Sequence, residues 1–193
     1  MPNWCANSFT LRGSNEELQS IKHLLLIEDK FSFTCAVPQP ENIFNDPLSS
    51  EKQKELDEQG IPNWYDWNIH NWGTKWDAWC EKGDVEEWDE HIHINFQTAW
   101  SPPTDWVYAF NEKLGDSKVR FELLYDEPGM EYAGAYVRDE NGELLDYEGR
   151  IYNAVCGEEV FYDEEKECYV DAKGEPVDED ELTYEVDYGF DGQ

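Results

Sequence analysis

Residues 91–115 read HIHINFQTAWSPPTDWVYAFNEKLG, and their hydrophobic period changes halfway along. Through His91–Gln97 the period is two: Ile92, Ile94 and Phe96 share one face of a strand, leaving His91, His93 and Asn95 on the other. Ser101-Pro102-Pro103-Thr104-Asp105 is a helix entry, since proline is tolerated in a first turn and serine or threonine can cap it. Trp106, Phe110 and Leu114 then recur every four residues until Gly115 ends the element. Strand followed by helix is half of a split βαβ unit.

The flanks supply the rest. Downstream, Lys118–Tyr125 and Glu131–Arg138 read as strands, separated by Asp126-Glu127-Pro128-Gly129 and followed by the turn Asp139-Glu140-Asn141-Gly142. Upstream, Asn7–Arg12 alternates and Gly13 closes it; Ser14 with Glu17 forms a capping-box pattern ahead of Leu18, Ile21 and Leu25. Phe31–Val37 is a second β-prone run, stopped by Pro38 and Pro40. From Glu41 the pattern breaks into a short charged helix near Ser49–Glu58 and then Asn63–Gly73, rich in Trp and Asn, which fits neither period. Lys75–Cys80 resumes as the partner strand of His91–Gln97. The expected fold is α+β: a ferredoxin-like sandwich over residues 1–150, an antiparallel sheet with two helices on one face, carrying a Trp-rich insertion at about 41–74.

The last segment, 151–193, differs in kind. From Gly157 onward, 15 acidic residues stand against Lys166 and Lys173, a net charge of −13. Aromatic and β-branched residues persist there, so it is expected as an acidic extension of short β-hairpins. Tyr136-Val137 leading to Asp139 and Gly142-Glu143 is echoed by Tyr169-Val170 leading to Asp171 and Gly174-Glu175. Both read as a strand entering a glycine-containing hairpin turn.

The whole chain of 193 residues has 45 Asp plus Glu against 14 Lys plus Arg, a formal charge of −31, and a mean hydropathy of −0.82. Such a surface repels nucleic acid and anionic membranes, so neither is an expected direct partner. Disorder is opposed by 15% aromatic residues, each able to bury on the order of 150–250 Å². Met1–Cys5 opens no secretory signal, no stretch approaches the roughly 18–20 apolar residues of a membrane helix, and five scattered cysteines favour reduced thiols. The expected compartment is the cytoplasm.

Several Trp-centred blocks carry a resemblance: Met1-Pro2-Asn3-Trp4-Cys5, Asn63-Trp64-Tyr65-Asp66-Trp67, Asn71-Trp72-Gly73-Thr74-Lys75-Trp76-Asp77, Thr98-Ala99-Trp100-Ser101-Pro102-Pro103 and Tyr125-Asp126-Glu127-Pro128-Gly129. In that order, over roughly residues 1–138, the chain resembles the YubB-like family of plasmid and bacteriophage proteins. The resemblance implies a ferredoxin-like domain and a mobile-element context. It transfers no catalytic residues.

Three candidate sites follow. The charge itself points to a basic partner: B-DNA carries one phosphate per about 1.7 Å, so 31 net charges match roughly 50 Å of duplex. An acidic, DNA-mimicking inhibitor of a host nucleic-acid-handling or defence protein is the leading expectation, with Glu158, Glu159, Asp163, Glu164, Glu165, Glu167, Asp178, Glu179, Asp180 and Glu181 as the contact surface. Alternatively the insertion, through Trp64, Tyr65, Trp67, His70, Trp72, Lys75 and Trp76, stacks on a small nucleotide-type ligand, with His70, Lys75 and Arg120 as charged partners. Against that stands the use of the same rings as core. Third, His91 and His93 with Glu87, Asp89 or Glu90 offer zinc-type ligands for a hydrolase. Cys5 and Cys80 read as small core residues, no phosphate-binding or nucleophile motif occurs, and no cofactor is expected.

Overall fold

The structure, a computed structural model, describes residues 3–81, 83–127, 132–153, 160–163, 166, 168–178 and 182–185. Strand β1 (Trp4–Arg12) is followed by helix α1 (Asn15–Ile21), a 3₁₀ turn (Lys22–Leu24) and a minimal hairpin of β2 (Leu26–Ile27) and β3 (Lys30–Phe31). Helices α2 (Ser50–Gln59) and α3 (Trp64–Trp72) precede β4 (Val85–Trp88), β5 (His91–Ala99), α4 (Thr104–Leu114), β6 (Arg120–Glu127), β7 (Tyr132–Arg138) and β8 (Leu144–Glu148). Then come β9 (Arg150–Asn153), β10 (Phe161–Asp163), β11 (Cys168–Val170) and β12 (Leu182–Glu185).

Six strands form one sheet in the order β4-β5-β1-β6-β7-β8, every pairing antiparallel. Its first four, connected through α1 and α4, trace the ferredoxin-like path, and β7 and β8 widen the sheet beyond β6. Alternation decides the core. Phe9 and Leu11 of β1, Ile92, Ile94 and Phe96 of β5, and Phe121 and Leu123 of β6 point to one face. They pack there with Leu18 and Ile21 of α1 and with Trp106, Phe110 and Leu114 of α4. Among the described residues no helix is long and apolar enough to cross a membrane.

Helix starts obey their local signals where these are strong. Ser14 Oγ accepts from the Glu17 N–H at 3.3 Å while Glu17 accepts from the Ser14 N–H at 3.1 Å, a complete capping box. Ser49 caps α2, which ends at Gly60 with φ 65°. By contrast, α4 begins after Pro103 with no side-chain cap.

Three expectations are corrected. Phe31–Val37 is not a strand: pairing stops at Phe31 and a 3₁₀ turn (Phe33–Cys35) follows. The Asp77 carboxylate draws the backbone out of strand geometry by accepting from the Phe33 N–H at 2.7 Å and the Ser32 hydroxyl at 2.6 Å. Asn63–Gly73 is a regular helix, α3: Asn63 Oδ1 accepts from the Asp66 N–H at 2.9 Å, and Gly73, at φ 79°, ends it with a left-handed residue. Its inward positions, Asn68 and Trp72, mix polarity, so counting apolar residues hides the helical period. Lys75–Cys80 touches the sheet only through the bridge Trp79↔Gln97; the paired edge strand is β4.

The C-terminal segment holds a local β10–β11 hairpin, but β9 pairs with the distant β12, so the extension is not built of local hairpins alone. The repeated turn is reproduced in its backbone N–H bonds. Asp139 Oδ1 accepts from the N–H groups of Asn141 and Glu143 at 2.8 and 2.9 Å, and Asp171 Oδ1 from those of Lys173 and Glu175 at 2.8 and 2.9 Å. Gly142 and Gly174 follow at φ 86° and 80°.

Hydrogen bonding, led by the Asn141 side chain for Asp139 and by the Glu175 N–H for Asp171, holds both carboxyls below the ordinary aspartate range. A depressed folded-state value means the stabilisation is complete above about pH 4 and is lost as pH falls through the folded value. Asn can still accept these bonds but does not titrate, so Asp139→Asn with Asp171→Asn should show a shallower fall of the unfolding temperature than wild type between about pH 6 and about pH 3. Identical acid limbs would refute this role for the turns.

Candidate functional site

The sheet face opposite the helices is built by the other half of each alternation. Register places its residues in ranks across the strands. One rank runs Trp88, His91, Arg12, Arg120 across β4, β5, β1 and β6; the next runs Glu86, His93, Thr10, Glu122. Toward the far end, Gln97 and Ala6 lie side by side with Trp79 bridged to Gln97, and Trp4 pairs with Ala99. On the β7 side this face is covered, since Ala133, Ala135 and Val137 are buried.

Aromatic residues collect at one corner. Trp4 lies 4.9 Å from Trp79 and 6.2 Å from Trp76, ring centre to ring centre, and Lys75 Nζ sits 4.6 Å from Trp76 and 5.8 Å from Tyr65. Tyr65, Trp76 and Trp79 are exposed. Of the predicted ligand set, therefore, Tyr65, Lys75 and Trp76 do come together, joined by Trp4 and Trp79. The others part company. Trp72 is core, its indole donating to the Val37 carbonyl at 3.0 Å, and Trp67 packs edge-on against it at 5.4 Å. Trp64 donates to the Asp46 carbonyl, and exposed His70 donates from Nδ1 to the Asp66 carbonyl at 2.6 Å. The insertion's rings are thus divided between core and surface.

His91 and His93 share the outer face as read. His93 Nδ1 bonds Thr10 Oγ1 at 2.9 Å, and His91 Nδ1 donates to the Asp89 carbonyl at 2.9 Å while its ring stacks on Trp88. Among the described residues no three His, Cys, Asp or Glu side chains gather to hold a metal ion.

Of the acidic surface, Asp163 pairs with Lys166 at 3.5 Å and Asp178 is exposed. Glu158, Glu159, Glu164, Glu165, Glu167, Glu179, Asp180 and Glu181 lie outside the described residues.

Cys5 and Cys80 are buried, as their reading as core requires. Burial pushes the Cys5 thiol up to about 12 and raises Cys35 and Cys80 as well. All three shifts run opposite to what a thiolate nucleophile needs.

Sequence reading missed the meeting of Arg12 with Arg120 and His91, and the place of Trp88 beside them. A signal existed: each residue falls on the polar phase of its own strand. The register that aligns four strands is not written in any one of them.

A family profile described as the ferredoxin-like domain in Api92-like protein matches residues 75–187. The uncharacterized protein YubB of Escherichia coli (strain K12) is 30% identical over 87 residues, 45% of this chain and 58% of that protein. The chain thus spans 58% of the length of the curated relative it matches. The crystal structure of a protein Api92 from Yersinia pseudotuberculosis aligns with 76% of this chain and 97% of its own, at a TM-score of 0.47 and 9% identity.

Proposed function

The chain belongs to the family of ferredoxin-like domains in Api92-like proteins, and on that premise we propose that it acts by binding: the sandwich is a scaffold that displays carboxylates to a basic protein of the host cell. The mobile-element context and a DNA-like disposition of charge are part of this proposal. One observation carries it. The chain has 45 carboxylate residues against 14 Lys plus Arg, so most carboxylates have no cationic side chain of their own to pair with. Negative charge is left at the surface and self-repulsion is tolerated, a cost that solubility alone does not demand.

A basic channel shaped for nucleic acid is the complementary surface, and a nucleic-acid-handling or defence protein is the partner class. Association with such a partner is steered by charge and fast at low salt. The screening length shrinks from about 10 Å at 0.1 M to about 3 Å at 1 M salt. Immobilised protein should therefore retain its partner from host lysate near 0.1 M salt, lose it near 1 M, and release it to added duplex DNA, which competes for the same basic surface. Retention at high salt, or indifference to duplex DNA, would end the proposal.

A further inference from the structure

The rank at the end of the outer sheet face has a sign opposite to that of the molecule. Arg12 stands directly opposite His91 on β5 and Arg120 on β6, and Trp88 stands opposite His91 on β4. At about 4.8 Å between strands, the rank from Trp88 to Arg120 is roughly 14 Å long. Both arginines are exposed, and neither forms an ion pair among the described residues. Like charges placed directly across a strand pair repel. In a chain with four arginines and 45 carboxylate residues, two arginines left side by side without a carboxylate partner among the described residues are a departure that the fold does not need.

Their surroundings form a receptacle. A shallow, open groove is lined by Arg12, Arg120, Thr10, Glu122 and Val137. Phe121 and Arg138, which register places on the helix face, close its floor. At the other end of the rank the Trp88 ring, 50% exposed, lies 5.7 Å from the His91 ring at an interplanar angle of 15°, a flat aromatic shelf.

We propose that this rank is a binding site for a small phosphate ester carrying an aromatic ring, a nucleoside monophosphate in chemical class. The two guanidinium forks of Arg12 and Arg120 receive the phosphate, because a planar five-donor group matches phosphate oxygens in a bidentate way. The shelf of Trp88 and His91 receives the ring by stacking. Glu86 and Glu122, one rank inward, confine the anion to the outer rank. The same charges set the ligand's size: a polymer leaving the groove along β4 meets exposed Glu86, whereas one phosphate group stays within the arginines' reach. The site does not rest on the acidic-surface function and stands or falls separately from it.

Calorimetric titration of the full chain at low salt, about 50 mM, tests it with AMP, adenosine, inorganic phosphate and a single-stranded oligonucleotide as probes. AMP should bind with one site per chain, adenosine should give no binding heat, and inorganic phosphate should bind about tenfold more weakly than AMP. Arg12→Gln and Arg120→Gln should each weaken AMP binding about tenfold or more, with no fall in unfolding temperature because a like-charge contact is relieved. Trp88→Ala should bring AMP down to the level of inorganic phosphate. Absence of AMP binding, equal binding of adenosine, unaltered affinity in both arginine variants, or an oligonucleotide that binds more tightly than AMP would each overturn the proposal. The first two are read on the wild-type chain, whatever the variants do.

Discussion

Replacing Trp106 by alanine should lower the free energy of unfolding by roughly 3–5 kcal/mol, the range for truncating a large buried ring. Trp106 is fully buried on α4. It stacks on Phe110 at 4.9 Å and 7°, and meets Phe33, Phe31 and Phe9 at 5.1, 5.4 and 5.8 Å. Its indole also donates to the Phe33 carbonyl at 3.1 Å, so truncation leaves a cavity and orphans a buried acceptor together. The ring joins α4, β1, β3 and the Phe33–Cys35 turn; neighbours held by four separate elements collapse poorly into the space, which places the cost high in its range. Urea unfolding should show a lower midpoint with unchanged slope. A loss under about 1 kcal/mol would mean that Trp106 is not the centre of this core.

The second large effect is expected at Arg138. Its side chain is buried, with the Asp139 carboxylate as its charged neighbour, and it donates to three carbonyls: Gly115 at 2.7 Å, Asp139 at 3.3 Å and Val119 at 3.4 Å. These carbonyls sit after α4, before β6 and in the β7–β8 turn, so one guanidinium ties three chain segments. Burial lowers its pKa, which means that the charge is held at a desolvation cost. Two effects compete in Arg138→Met. Removing the charge relieves desolvation, while the carbonyls lose donors worth about 1.5–3 kcal/mol each when charged. Two of the three bonds are long and count for less, so a net loss of about 2–4 kcal/mol is expected. Arg138→Lys, which keeps the charge but not the fork, should recover only part of it. A Met variant as stable as wild type would show that desolvation outweighs the bonds.

How much was legible can be judged element by element. The strand at β5 was readable because its alternation is strict and its partners on both sides leave one face to the core. The starts of α1 and α2 were readable because Ser14 and Ser49 cap them through bonds that span three residues. The Asp-x-x-Gly-Glu turns were readable for the same reason, since every bond in them is local. Failure came where a distant group decided the backbone. Asp77, far along the chain, drew Phe33 out of a strand, and α3 hid its period because an inward Asn68 satisfies its amide on the Lys75 carbonyl and the Gln39 side chain.

The site divides along the same line. That the protein is strongly acidic, rich in rings and able to form an α+β sandwich follows from composition and from interactions reaching a few residues. Which tryptophans become core and which stay exposed, and that Arg12, His91 and Arg120 stand abreast, were settled only by strand pairing. Cross-strand neighbours are set by hydrogen-bond register over the whole sheet, and a shift of a single residue would turn every one of them to the opposite face.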